Sequence, residues 1–163
     1  MSQTAYSINM AEGKVGALAD AGDNDIMSYI APAAHPFGTL AVRNGTEGQC
    51  KLPALAADIT TKENVLGLVL AQQAMESTSA ASPQHPAGSV VPVLRKGRAY
   101  VKVDEAVAEG SAVFVRFAAG GEGPGFFGDT AGAGPDRAAL DGARYVKGAA
   151  AGALAIVEVN FPA

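Results

Sequence analysis

The chain has no tryptophan, one cysteine and two histidines among its 163 residues, and each shortage closes off a class of function. A lone Cys50 permits neither an intrachain disulfide nor a cysteine-based zinc site, which fits assembly in a reducing cytoplasm. His35 and His85 are each followed by proline, a pairing that reads as turn chemistry in a loop rather than metal ligation. No window approaches the roughly 18 continuous apolar residues of a membrane span, so no membrane partner is expected. The opening MSQTAYSINMAEGK lacks the basic-then-apolar order of a secretory leader. The net charge of −4 argues against nucleic acid as a partner, because its binders carry a basic face.

Motifs that carry chemistry are missing as well. No serine sits in a Gly-x-Ser-x-Gly elbow. The glycine-rich stretch 120–128 lacks the Gly-Lys-Ser/Thr ending of a phosphate loop. Asp20, Asp23 and Asp25 lack the glycine and distal glutamate of a calcium-binding loop, and read as turn or capping residues. Lys51 could lower the Cys50 pKa slightly, yet nothing around the thiol forms a reactive-cysteine motif. Lys102 lies within a strand rather than at a turn and no Met precedes it, unlike the modified lysine of biotinyl and lipoyl carrier domains. The expectation is a protein with no catalytic residue, no cofactor and no metal.

What the chain does contain is alternation. Residues 90–117 (VVPVLRKGRAYVKVDEAVAEGSAVFVRF) set Val101 and Val103 against Tyr100 and Lys102, then Val113 and Val115 against Phe114 and Arg116. Breaks at Lys96-Gly97 and Glu109-Gly110 read as the turns of hairpins buried on one side. Arg95, Lys96 and Arg98 then form a basic hairpin tip, either solvated or set against an acidic partner. Residues 65–71 (VLGLVLA) are a continuous apolar run, as in a buried strand. Strands are also predicted over 37–42, 143–147 and 154–159. Residues 51–57 read as loop or a short extended segment, 71–81 as a short helix or a strand, and 77–88 as loop. The hydrophobic fraction of 48% is rich in alanine, which buries little area. The core is therefore thin, and burial against partner subunits would add to stability.

Two segments depart from this pattern. Residues 1–34 are rich in Gly, Ala, Asp and Asn and cannot build a core of their own; they are either disordered or an arm. Val15, Leu18, Ile26, Met27, Tyr29 and Ile30 favour an arm that docks. Residues 118–139 are a long Gly/Ala/Pro loop in which Phe126 and Phe127 are expected to anchor it to its own domain or to a neighbour. The remaining residues, 35–163, form one all-β domain, a jelly-roll-like β-sandwich or small β-barrel.

Several motifs in order complete the layout: Gly16-Ala17-Leu18-Ala19-Asp20, His35-Pro36-Phe37-Gly38, Val65-Leu66-Gly67-Leu68-Val69, the stretch from Pro92 to Arg98 and on to Glu109-Gly110, Val113-Phe114-Val115-Arg116, Gly142-Ala143-Arg144-Tyr145-Val146, and Gly152 to Glu158. In this arrangement the chain resembles the structural cement (capsid decoration) proteins of tailed bacteriophages. The resemblance implies a jelly-roll-like domain on the capsid surface of a virion, made in the host cytoplasm. It implies binding to the major capsid protein across subunit junctions, self-association as a dimer or trimer, and no catalysis. Ile26, Met27, Tyr29, Arg95, Lys96, Arg98, Phe126 and Phe127 are the candidate interface residues. The alternative is a small binding module displayed on a particle, for instance for host-surface glycans, which the scarcity of Trp and Tyr disfavours.

Overall fold

The computed structural model describes residues 13–72, 83–119, 123–132 and 136–161. Its strands are β1 (Asp25–Ala31), β2 (His35–Pro36), β3 (Leu40–Arg43), β4 (Cys50–Lys51), β5 (Val65–Val69), β6 (Gln84–His85), β7 (Ser89–Lys102), β8 (Ala112–Arg116), β9 (Phe127–Gly128), β10 (Arg137–Lys147) and β11 (Leu154–Asn160). A short helix, α1 (Ala56–Thr60), and a 3-10 turn (Lys62–Asn64) lie between β4 and β5. Asp58 starts the helix, its carboxylate accepting the Ala54 and Leu55 N–H groups at 2.9 and 3.1 Å. The fold is all-β apart from these, as the alternating valines imply.

Nine strands form one antiparallel sheet in the order β4-β3-β5-β7-β11-β10-β8-β9, with β1 added along β7; β2 and β6 form a separate pair. Two hydrogen bonds tie the β9 end of this order back to its other members. Leu40 donates to the Gly125 carbonyl at 3.0 Å, and Asp104, just past β7, donates to the Phe127 carbonyl at 3.1 Å.

The 14-residue β7 organises the sheet, and here the structure corrects the reading of Lys96-Gly97 as a turn. The strand continues through this point, with Lys96 opposite Asn160, Gly97 opposite Val159 and Arg98 opposite Glu158 on β11. What changes at Gly97 is phase. Before it, Leu94 faces the main core while Val91 and Val93 join a smaller cluster with Ala31, Ala41, Cys50, Leu66 and Val69. After it, Ala99, Val101 and Val103 face the main core. The inward parity passes from even to odd because one residue is absorbed: on β1, Asp25 pairs with Lys96 but Ile26 with Leu94. Gly97 sits at φ +134°, in the region that favours glycine. The residue skipped in the pairing with β1 is Arg95, and a Lys-Gly pair beside such a bulge resembles a turn signal in one dimension.

The expected arm and the expected loop are both partly built into the sheet. Gly16 and Ala19 donate to the Tyr100 and Arg98 carbonyls at 2.8 and 2.9 Å, and β1 pairs with β7 from Asp25 to Ala31. Residues 13–31 therefore lie along the β7 edge of their own domain. In the 118–139 segment, Phe127 and Gly128 form β9, and β10 begins at Arg137. The segment expected as helix or strand over 71–81 falls largely outside the described residues.

An ionic cluster holds the β9 region in place. Arg116 and Arg137 lie directly opposite each other on β8 and β10, a like-charge pairing that would repel alone. Asp104 resolves it by accepting from both: Arg116 Nη2 at 2.8 Å and Arg137 Nη2 at 2.9 Å. Arg116 also reaches Asp136, and Arg137 Nη1 donates to Glu105 at 2.7 Å. Glu105 in turn accepts the Asp129 and Thr130 N–H groups at 2.9 and 3.0 Å. Burial pushes the Glu105 carboxyl up, but the Thr130 donors and Arg137 outweigh it and hold it below its ordinary value.

Two substitutions test this account. At Gly67, φ is +148° and a Cβ would run into the Leu94 carbonyl oxygen. Gly67→Ala is therefore expected to cost about 2–4 kcal/mol in chemical denaturation; a cost below about 1 kcal/mol would refute the close approach of β5 to β7. Asp104→Ala removes the carboxylate shared by two buried guanidinium groups, leaving Arg116 with Asp136 and Arg137 with Glu105, and is expected to cost about 1–3 kcal/mol. Wild-type stability in that variant would show the cluster to be ornamental.

Candidate interaction surface

Most of the side chains that β1 projects are apolar, with Ser28 between Ile26 and Ile30, yet water reaches them on both faces. Ile26 is 43% exposed, Met27 42% and Ile30 45%, and Val90, opposite Ile30 on β7, is 53% exposed. Alternation splits them: Ile26 and Ile30 share one face with Val90, while Met27 and Tyr29 share the other with Val91 and Val93. Beneath this part of the sheet lies the smaller cluster, against which Tyr29 packs, while alternation turns Ile26 and Ile30 away from it. Over Asp25 to Tyr29 the described residues give β1 no strand partner except β7. Scattered exposed apolar residues are ordinary; four concentrated on one edge strand and its neighbour mark a surface fitted for contact.

The three basic residues divide. Lys96 Nζ meets Asp23 at 2.6 Å, and this bond holds the Asp23 carboxyl below its usual range. Arg98 meets Glu158 at 2.7 Å and Asp20 at 3.5 Å, and Arg144 reaches the same Glu158 at 2.6 Å. Both cations are thus paired within the chain, and Asp20 and Asp23 serve as their partners. Among the described residues no cluster of three metal-ligating side chains occurs. Arg95 lies on the Met27 face, with Nη1 3.1 Å from the Met27 sulfur.

Phe126 and Phe127 are core residues, so of the two anchorings expected for them the fold shows the one to their own domain, and their burial takes them off the surface offered to a neighbour. They are 5% and 0% exposed, and Phe127 packs in the main cluster. Arg116 donates its N–H to the Phe126 carbonyl at 2.9 Å, and Gly125 donates back to the Arg116 carbonyl at 2.8 Å. A Phe-Phe pair amid glycines has the same sequence signature whether it faces inward or outward.

The two histidines also differ from expectation: they pair with each other across β2 and β6 and are 1% and 0% exposed. His35 Nδ1 lies 3.1 Å from the Thr39 hydroxyl, His85 Nε2 lies 2.8 Å from the Leu70 carbonyl, and Phe37 stacks edge-on against His85 at 4.7 Å. Burial drives the His35 pKa down to about 4 and lowers that of His85. Burial likewise pushes the Cys50 thiol up to about 11, leaving it a protonated core side chain. The nearby lysine does not activate it.

A family model described as "Structural cement protein (E217 gp24/Pam3 gp6)" matches residues 1–160. A solved structure titled "The capsid of Myoviridae Phage XM1" contains a chain of similar fold, with a TM-score of 0.72 at 17% sequence identity, covering 99% of each chain. No curated protein matches the sequence.

The buried His35 makes a measurable demand on pH. Its folded pKa lies below the ordinary value of 6.5, so the fold favours the neutral ring. That contribution is complete above pH 6.5 and is lost as pH falls toward 4. Unfolding free energy is expected to drop by about 2–3 kcal/mol between pH 7 and pH 4.5, a window above that in which the depressed carboxyls of Glu105 and Asp23 titrate. His35→Gln should flatten the profile, and equal slopes in the two proteins would contradict the assignment.

Proposed function

The chain belongs to the structural cement protein family, and from that membership we propose that it is a virion structural protein that binds the outside of the capsid and cements contacts between major capsid proteins. The observation that carries the attachment reading is the exposure of Ile26, Met27 and Ile30 with Val90 on an edge strand. Apolar groups held outward on a pre-formed strand lose little conformational entropy on contact, so they convert efficiently into binding. The core is built chiefly of valine and leucine, because much of the hydrophobic fraction is alanine that buries little area, and this fits a protein that gains stability from its neighbours.

In this reading residues 1–34 form the attachment arm, with residues 13–31 already laid along β7 and the apolar side chains of β1 directed at the shell or at another copy of the chain. Repeated copies on a lattice need only modest individual contacts, because each engagement is reinforced by the next. The product of the fold is a surface. Its buried histidines and buried thiol are structural groups, and the role is not enzymatic.

Shells that lack this protein provide the test. Purified wild-type chain added to them should sediment with them to saturation. Ile26→Asp combined with Ile30→Asp should lower the apparent affinity by about 30-fold or more while circular dichroism shows an unchanged β signal. Full occupancy by the double variant would remove β1 from the interface, and absence of the wild-type chain from intact particles would end the reading.

A further inference from the structure

Met27 and Tyr29, on the face of β1 opposite Ile26 and Ile30, form one wall of an open groove of about 470 Å³. Its apolar floor includes the buried Leu66 of β5. Its rim is basic: Arg43 ends β3, Lys62 opens the 3-10 turn and Arg95 stands on β7. Three cationic side chains face one carboxylate, Glu63, in a chain whose overall charge is −4. The concentration of positive charge here therefore runs against the composition.

One of the three cations is positioned by the backbone and the other two by side chains. Arg43 Nε donates to the Glu63 carbonyl at 2.6 Å, which fixes its planar head beside the 3-10 turn; a guanidinium held this way presents its terminal nitrogens in a fork suited to a carboxylate. Arg95 Nη1 rests on the Met27 sulfur, so charge and apolar surface alternate across a few ångströms. Lys62 reaches Asp141 only at 3.9 Å, with both side chains mostly in solvent, an exposed contact of small worth.

Resting on the attachment reading above, we propose that this groove receives an extended, carboxylate-bearing segment of the major capsid protein. Acidic side chains of that segment meet Arg43, Lys62 and Arg95, and an apolar side chain lies against Met27 and Tyr29. The apolar floor and the Glu63 carboxylate fit a peptide of mixed character better than a phosphodiester backbone, which would meet negative charge and no base-stacking cleft. The groove supplies orientation and rate of encounter, and the Ile26–Ile30 face supplies the apolar contact.

The probe is again the shell lacking this protein, with the full chain. The triple variant Arg43→Gln, Lys62→Gln, Arg95→Gln should bind at least about tenfold more weakly and lose much of the salt dependence shown by wild type, with its β signal unchanged. Carbodiimide coupling of the wild-type complex, which joins an amine directly to a carboxylate, should link Lys62 to an aspartate or glutamate of the shell protein in peptide mass maps. Wild-type binding that the triple variant retains within twofold overturns the groove alone. Coupling of Lys62 only to another copy of this chain also overturns it, by assigning the groove to self-association. A wild-type chain that fails to bind the shells overturns the attachment reading and the groove with it.

Discussion

The structure depends on β7 being one unbroken strand with ladder partners on both edges. Residues 13–31 run along one side, while β5 meets Leu94 and Val93 and β11 pairs from Lys96 to Lys102. A strand this long spans two environments, and it can serve both only by exchanging which side chains face inward. The change of phase at Gly97 performs that exchange. Without it, Val91 and Val93 could not line the smaller cluster while Val101 and Val103 fill the main one.

The same geometry produces the interaction surface. Laid along the first half of β7, β1 leaves Ile26 and Ile30 half-exposed on one face, and its other face opens into the groove beside Arg95. Rigidity comes from elsewhere. Asp104 holds Arg116 and Arg137 together, and Glu105 ties Asp129 and Thr130 to the same knot, so the glycine-rich approach to β10 is anchored by charge. Within this network only Asp136 Oδ1 and Arg137 Nε are buried without a hydrogen-bond partner among the described residues.

A decorating protein built this way separates two tasks. The core and the ionic knot keep one shape, and in the proposed reading an edge strand with a charged groove meets the partner. Apolar contact area and charge complementarity then lie on opposite faces of β1. Affinity and specificity can be altered independently, one through Ile26, Ile30 and Val90 and the other through Arg43, Lys62 and Arg95.

Period-two alternation in residues 99–103, 113–115 and 154–159 made the strands and their inward faces legible from the sequence, because side-chain direction in a strand is set by parity alone. The shortage of reactive groups and the ordered motifs marked a structural protein, in agreement with the family match over residues 1–160. Ile26, Met27 and Tyr29 stood out as apolar residues in a segment unable to form its own core. Tertiary structure alone decided the rest. Lys96-Gly97 is a register shift and not a turn, because β11 continues past it; Phe126 and Phe127 turn inward, because Arg116 bonds to the backbone beside them; and the His-Pro pairs are buried, because β2 finds β6. Each of these depends on a partner distant in the chain, and local pattern carries no information about which distant strand will arrive.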